Sequence, residues 1–253
     1  MRFATLGSGS RGNALLVAGG TTRLLVDCGF GLRETERRLA LLGVAAAHLQ
    51  GILVTHEHGD HLRGVAALAR RHGIPVWATN GTWSRVRNAG VERVNLIAST
   101  GPGFQVSDIR VEPFPIPHDA REPCHYVLES GGRRLGLLTD SGHVTRHIRQ
   151  RLGECDALVL ECNHDAEMLR RGPYPPFLRA RVGGDFGHLG NHQAAELVDQ
   201  LPHRRLSRLL LAHLSEKNNH PELARQAILA VDATLAERLT LAQQDQPSPW
   251  LAV

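Results

Sequence analysis

Apolar residues fall in short blocks separated by glycine, serine and proline, and the blocks predict strands before helices. Residues 3–6, 13–18 and 23–27 are apolar runs divided by Gly/Ser-rich turns, the pattern of a β-meander. Residues 32–42 carry helical spacing with charges at Arg33, Glu34, Glu36, Arg37 and Arg38, and Gly43 stops them. A buried strand over 51–55 leads into His56-Glu57-His58-Gly59-Asp60-His61. A helix over 62–72 and a strand over 75–78 follow. Strands are predicted at 104–111, 126–128 and 135–139, with Gly131-Gly132 as a hairpin turn. Helix 144–152 and strand 157–160 come next. Residues 168–186 carry Pro173, Pro175, Pro176, Gly183 and Gly184, and read as a long functional or mobile loop. Helix 193–200, strand 206–212, helix 221–235 and edge strands near 239–242 and 250–253 complete the order. No linker or repeat interrupts it, so a single domain over 1–253 is expected, with two sheets packed together under helices.

Composition narrows the class. Apolar residues are 42% and charged residues 21%, which excludes disordered, collagen-like and coiled-coil chains. No apolar run approaches the roughly 18 residues of a membrane span, and the first residues lack a signal-peptide core. Cys28, Cys124, Cys155 and Cys162 form no CxxC pair, so a cytoplasmic protein with reduced cysteines is expected. The cations are almost all arginine, with Lys217 the one lysine, and the net charge is +4. That balance suits a phosphate-bearing partner and equally a GC-rich coding bias. Fifteen histidines point to a metal site or acid–base chemistry.

The six residues 56–61 place four ligand candidates, His56, His58, Asp60 and His61, just after a strand, where Gly59 eases the turn. Imidazole and carboxylate suit Zn²⁺, Mn²⁺ or Fe²⁺. Four candidates exceed one open tetrahedral site, which implies two divalent ions. His118, Asp140 and His213 each close an extended run and supply further donors.

This pattern resembles the metallo-β-lactamase fold. The chain is similar end to end to the small bacterial nucleases of the YycJ/WalJ type. The resemblance rests on Leu6-Gly7-Ser8-Gly9-Ser10-Arg11-Gly12-Asn13, Leu25-Val26-Asp27-Cys28-Gly29, Thr55–His61, Pro117-His118-Asp119-Ala120 and Thr139-Asp140-Ser141-Gly142-His143. Glu161-Cys162-Asn163-His164-Asp165, Gly187-His188-Leu189-Gly190-Asn191 and Ala212-His213-Leu214-Ser215-Glu216-Lys217-Asn218-Asn219 narrow it to that type. Gly59, Ser141 and Gly190 stand where Ser, Leu and Ser are expected, and none is a ligand. The resemblance implies an α/β fold, an αββα sandwich of two mixed sheets covered by helices. It assigns His56, His58 and His118 to one metal, Asp60, His61 and His213 to the other, and Asp140 as the bridge. No cysteine takes a ligand place, which fits hydrolytic phosphodiesterases; Cys28 and Cys162 read as small buried residues.

The expected activity is a metal-dependent DNA nuclease, 5′→3′ exonuclease-like, acting through a metal-activated hydroxide. Asp60 would orient the water or take its proton. His164 would be the general acid, or alternatively a neighbour that positions the site or binds substrate. His188 and Asn191 would hold a phosphate before a helix, unless His188 only packs the loop. Ser8, Ser10 and Asn13 would contact substrate or form a structural turn. Arg170, Arg171, Arg179 and Arg181 would track DNA phosphates, or lie solvated. No aromatic platform for base stacking is visible, so neither sequence-specific nor single-strand-selective recognition is expected. The other histidines, His48, His72, His125, His143, His147, His192, His203 and His220, read mostly as surface or helix-face residues. A cyclic-nucleotide or other small-molecule phosphodiesterase of the same fold is the alternative, and no membrane partner is expected.

Overall fold

The computed structural model describes residues 1–86, 89–202 and 206–253; His203 lies outside them. The chain divides into two compact units, one of Met1–Pro115, Ala120–Arg133 and Gln243–Val253, the other of Ile116–Asp119 and Arg134–Ala242.

In the first unit, β1 (Arg2–Gly7), β2 (Ala14–Gly19) and β3 (Thr22–Val26) form the predicted meander, paired Phe3 to Val17 and Leu16 to Leu25. α1 (Leu32–Leu41) leads to β4 (Gly51–Leu53), which pairs parallel with β3. α2 (Gly59–Leu62) and α3 (Val65–His72) then precede β5 (Val76–Thr79), α4 (Asn80–Trp83) and β6 (Val94–Ile97). With β14 (Leu251–Ala252), the sheet runs β14-β1-β2-β3-β4-β5-β6. Leu39 of α1, with Val65 and Leu68 of α3, packs on Leu16, Leu25, Ile52 and Val76. The rest of the unit is an antiparallel ladder of β7 (Phe104–Val106), β8 (Ile109–Pro115) and β9 (Cys124–Ser130).

The second unit holds a parallel ladder of β10 (Arg133–Leu138), β11 (Ala157–Glu161), β12 (Arg208–Ala212) and β13 (Leu239–Leu241). Parallel strands covered on both faces read as continuous apolar runs, and Leu158, Val159, Leu160, Leu209, Leu210 and Leu211 are all buried. The helices are α5 (Arg146–Leu152), α6 (Ala166–Arg171), α7 (Pro176–Val182), α8 (Asn191–Gln200) and α9 (Pro221–Val231). The fold is two mixed seven-stranded sheets flanked by helices.

Several expectations change. The 104–111 strand is two, because Ser107 (φ 48°) and Asp108 turn the chain into a hairpin. The 62–72 helix is interrupted at Gly64, where a Cβ would lie 2.0 Å from the Phe30 carbonyl oxygen. The 168–186 loop contains most of α6 and all of α7. Asp165 caps α6 by accepting from the Glu167 and Met168 amides, and Pro176 opens α7, where a missing N–H costs nothing. His125 is buried on β9 rather than on the surface, and Arg38 is buried too, donating to the Leu6 and Gln244 carbonyls at 2.8 Å. All four cysteines are buried and none forms a disulfide. Among the described residues no helix is long and apolar enough to cross a membrane.

Candidate metal-binding site

In the first unit the histidine turn follows β4 at the carboxyl end of its parallel pairing. Asp27, at the end of β3, adopts φ 61°, a region that costs a non-glycine residue about 1–3 kcal/mol and clusters at functional sites. Its Oδ1 accepts from the Thr55 amide at 2.8 Å, and its Oδ2 from the Thr55 hydroxyl at 2.8 Å. The same oxygen meets His61 Nδ1 at 2.8 Å. A carboxylate on one ring nitrogen orients the other towards a cation, and His61 Nε2 lies 3.6 Å from Asp60 Oδ2. The Thr55 hydroxyl also sits 3.0 Å from His56 Nδ1, while His56 Nε2 and His58 Nδ1 converge to 3.1 Å. Two ring nitrogens that close share either a proton or a cation.

The turn is fixed from below. Cys28 N donates to the His61 carbonyl at 2.8 Å and Asn13 N to the Asp60 carbonyl at 2.7 Å. A Cβ on Gly29 would fall 1.7 Å from that Asp60 oxygen, so glycine is required there. Gly59 meets nothing within 4 Å and lies outside the left-handed region, so the turn does not require glycine at 59. Asn13 works inside the protein: its Oδ1 accepts from Ser8 Oγ and Gly9 N, and its Nδ2 donates to Gly9 O and Asp60 Oδ2. Ser8 and Asn13 thus hold the turn that supports Asp60. Ser10 is exposed.

In the second unit, parallel strands bring their carboxyl ends to one edge. Asp140 follows β10 and His213 follows β12, with φ 53° and 54°. Glu161, the last residue of β11, lies fully buried and accepts from both His188 Nδ1 (2.9 Å) and His213 Nδ1 (2.8 Å). Burial alone would raise the Glu161 carboxyl, but His188 and then His213 outweigh it and hold it ionised. Burial likewise disfavours the His188 imidazolium, and the Glu161 carboxylate more than offsets that, so His188 titrates above the ordinary histidine range. One donor atom from each of Asp140, Glu161, His188 and His213 lies within 4.8 Å of the others. His118 is buried, with Nδ1 3.2 Å from the Gly187 carbonyl oxygen and its ring 5.5 Å from that of His188. In each unit the donors are imidazoles and carboxylates, several held by a partner on the far nitrogen. The residues fit a divalent cation.

Three other predicted site residues are engaged or enclosed within the protein. Asn191 is buried in a reciprocal amide pair with Asn219, two bonds of 2.9 Å. His188 is committed to Glu161. His164, three residues past β11, is 4% exposed, and its buried Nδ1 has no hydrogen-bond partner among the described residues. Burial pushes it down to about 4 despite Glu161, which favours the neutral ring at neutral pH. Asp27 and Glu161, which orient the histidines, were not singled out in the sequence as site residues. Their signal was a carboxylate closing an apolar strand, the feature that marked Asp140.

The family described as Beta-lactamase superfamily domain matches residues 22–214. The chain is 38% identical over 235 residues to the Exodeoxyribonuclease YycJ of Bacillus anthracis, covering 91% of this chain and 89% of that protein. It is 34% identical over 233 residues to the Exodeoxyribonuclease WalJ of Streptococcus pneumoniae, covering 90% and 87%. The crystal structure of the metallo-β-lactamase fold protein YhfI from Bacillus subtilis has the same fold, with a TM-score of 0.76 at 15% identity over 98% of this chain and 99% of that one. Zn²⁺-bound PqqB from Methylobacterium extorquens matches with a TM-score of 0.72 at 19% identity over the full length of both. The chain therefore belongs to the β-lactamase superfamily, as a metallo-β-lactamase-fold protein of the YycJ/WalJ type.

Proposed function

We propose that the protein is a divalent-metal-dependent DNA nuclease that hydrolyses phosphodiester bonds from a strand end in the 5′→3′ direction. Its family membership and the names of its relatives support the reaction and the polymer. The observation that carries the reading is the pair of carboxylate-held imidazoles, His61 on Asp27 and His213 on Glu161, the arrangement that presents histidine to a metal. We assign His56, His58 and His118 to one ion and Asp60, His61 and His213 to a second, with Asp140 as shared ligand. The donor set suits Zn²⁺ or Mn²⁺. Such ions, when bound, lower the pKa of water and neutralise charge on a phosphate.

The chain's own groups do the rest. Asp60, steadied by Asn13 Nδ2 at 3.3 Å, orients the attacking water and takes its proton. His164, neutral and buried, positions the Asn163–Asp165 turn, while Asn163 Nδ2 donates to the His213 carbonyl at 2.9 Å and fixes that residue's backbone.

Protein purified without chelator should carry close to two divalent ions per chain by elemental analysis. Reloaded with Zn²⁺ or Mn²⁺, it should degrade linear DNA. A cyclic nucleotide and a chromogenic diester run beside it identify the competing activity. Faster turnover of the cyclic nucleotide than of DNA would replace this reading with a small-molecule phosphodiesterase.

A further inference from the structure

Two of the six phenylalanines are strongly exposed, Phe177 by 75% and Phe186 by 61%. Scattered apolar side chains on a surface need no explanation, but Phe186 is set apart by what holds its backbone. Its carbonyl accepts from the amide of Asp119, the residue after His118, at 3.0 Å. The next carbonyl, that of Gly187, receives His118 Nδ1. His188 N donates to the Val182 carbonyl at 2.8 Å and Gly187 N to the Gly184 carbonyl at 2.8 Å. From the other side Gly142, two residues after Asp140, approaches so closely that a Cβ there would lie 2.5 Å from Phe186 N. The main chain is thus clamped between the segments that carry His118 and Asp140, while the phenyl ring stands in solvent.

Asp119 organises a second group at the same place. Its Oδ2 accepts from Arg181 Nε at 2.6 Å, which fixes a guanidinium that is itself 59% exposed. One residue therefore anchors, through its backbone, an aromatic face and, through its side chain, a cation. A nucleotide unit offers the complement of both, a flat base and a phosphate.

We propose that Phe186 stacks on the nucleobase next to the phosphate being cleaved, with Arg181 on a neighbouring phosphate, so that the enzyme engages an unpaired DNA end. The proposal rests on the nuclease reading above, and it replaces the expectation that the chain lacks an aromatic platform. Stacking on an aromatic side chain accepts any base, because every base has a π-face. A rigid backbone under the ring spares the entropy of ordering it on binding. Stacking equal in ground and transition state is read in KM.

The test uses the metal-loaded enzyme on a 5′-phosphorylated single-stranded oligonucleotide, and on the same strand with a base-free tetrahydrofuran at the terminal position. The parent should show a KM roughly five- to hundredfold higher on the base-free strand. Phe186→Ala should raise KM on the normal strand to that level and bring the ratio between the two strands to about one, while Phe186→Trp restores it. A terminal 2-aminopurine, bound in an Asp140→Asn background that prevents cleavage, should be quenched with Phe186 or Trp at this position and not with Ala. An unchanged ratio in Phe186→Ala, or equal parental KM on both strands, overturns the stacking role while leaving the nuclease reading intact. Failure of the parent to cleave either strand, where linear duplex DNA is degraded, overturns this proposal alone; failure on duplex DNA as well, while it hydrolyses a chromogenic diester, overturns the nuclease reading with it.

Discussion

The two sets of candidate ligands are built on different plans. In the first unit four of them lie within six residues, and the peptide chain itself keeps His56, His58, Asp60 and His61 together. Three groups orient them: Asp27 for His61, Thr55, itself held by Asp27, for His56, and Asn13 for Asp60. In the second unit Asp140 and His213 come from the ends of different strands, and one buried carboxylate, Glu161, takes two imidazoles. A contiguous turn spreads its support over several groups. A sheet edge exists only once the strands have paired, and it concentrates its support in one residue. The second set should therefore be the more brittle.

The largest effect is expected at Asp140, proposed as ligand to both ions. Asn is the substitution of choice, because it tolerates the φ of 53° better than Ala. Losing several kcal/mol of Lewis-acid stabilisation corresponds to a fall in turnover of roughly a thousandfold, with loss of more than one ion per chain by elemental analysis. His213→Ala should lose less of both. Equal retention of both ions in Asp140→Asn would remove the bridging assignment.

Next come the two orienting carboxylates, which test the comparison directly. Removing such a partner typically costs about 10–100-fold in metal affinity or activity. Asp27→Asn should fall in that range, because the Cys28 and Asn13 amides still hold the turn's backbone. Glu161→Gln should reach the top of it or beyond, since His188 and His213 lose their acceptor together. Metal titration with a chromogenic chelator reads both variants, and an Asp27→Asn defect as large as that of Glu161→Gln would refute the brittleness argument.

The contrast also explains what could be read from the sequence. Ligands in a strand-then-turn motif are visible because spacing carries the signal, as in His56 to His61, and the buried parallel strands are visible as unbroken apolar runs. Pairings across the fold leave no local trace. Asn191 belongs to Asn219, Arg38 to the Leu6 and Gln244 carbonyls, and Glu161 to two histidines far along the chain. The same cause misassigned residues 168–186, where prolines at the start of α7 resemble those of a loop until the helix they open is seen.

His164 separates a proton donor from a buried, positioning ring. Its folded-state pKa of about 4 lies below the ordinary 6.5, so protonation favours the unfolded chain. The stability held by the neutral ring is present above pH 6.5 and is lost as the pH falls towards 4, by about 3 kcal/mol. Denaturant unfolding of metal-free protein should show the parent losing about that much more than His164→Asn over this interval. The rate on DNA should fall less than tenfold in the variant, against the 10²–10⁴-fold of a missing general acid. A large loss on DNA that vanishes with a nitrophenolate leaving group would reinstate the acid role.

The smallest effect is the one that asks which rim DNA follows. Arg181 is held by Asp119, and Arg179 donates to the Arg170 carbonyl, both in the second unit; in the first, Arg11 pairs with Asp245 beside the turn that supports Asp60. Each phosphate contact contributes roughly 0.7–0.9 to the slope of log affinity against log salt. Arg181→Ala should flatten the slope by one such step and Arg179→Ala with Arg181→Ala by up to two, measured on single-stranded DNA in an Asp140→Asn background. Asp119→Asn should act in the opposite sense, because it releases the Arg181 charge from its carboxylate. Arg11→Ala should leave the slope as it was. If Arg11 flattens it and Arg181 does not, the strand follows the first unit's rim, and the guanidinium beside Phe186 serves only to hold Asp119.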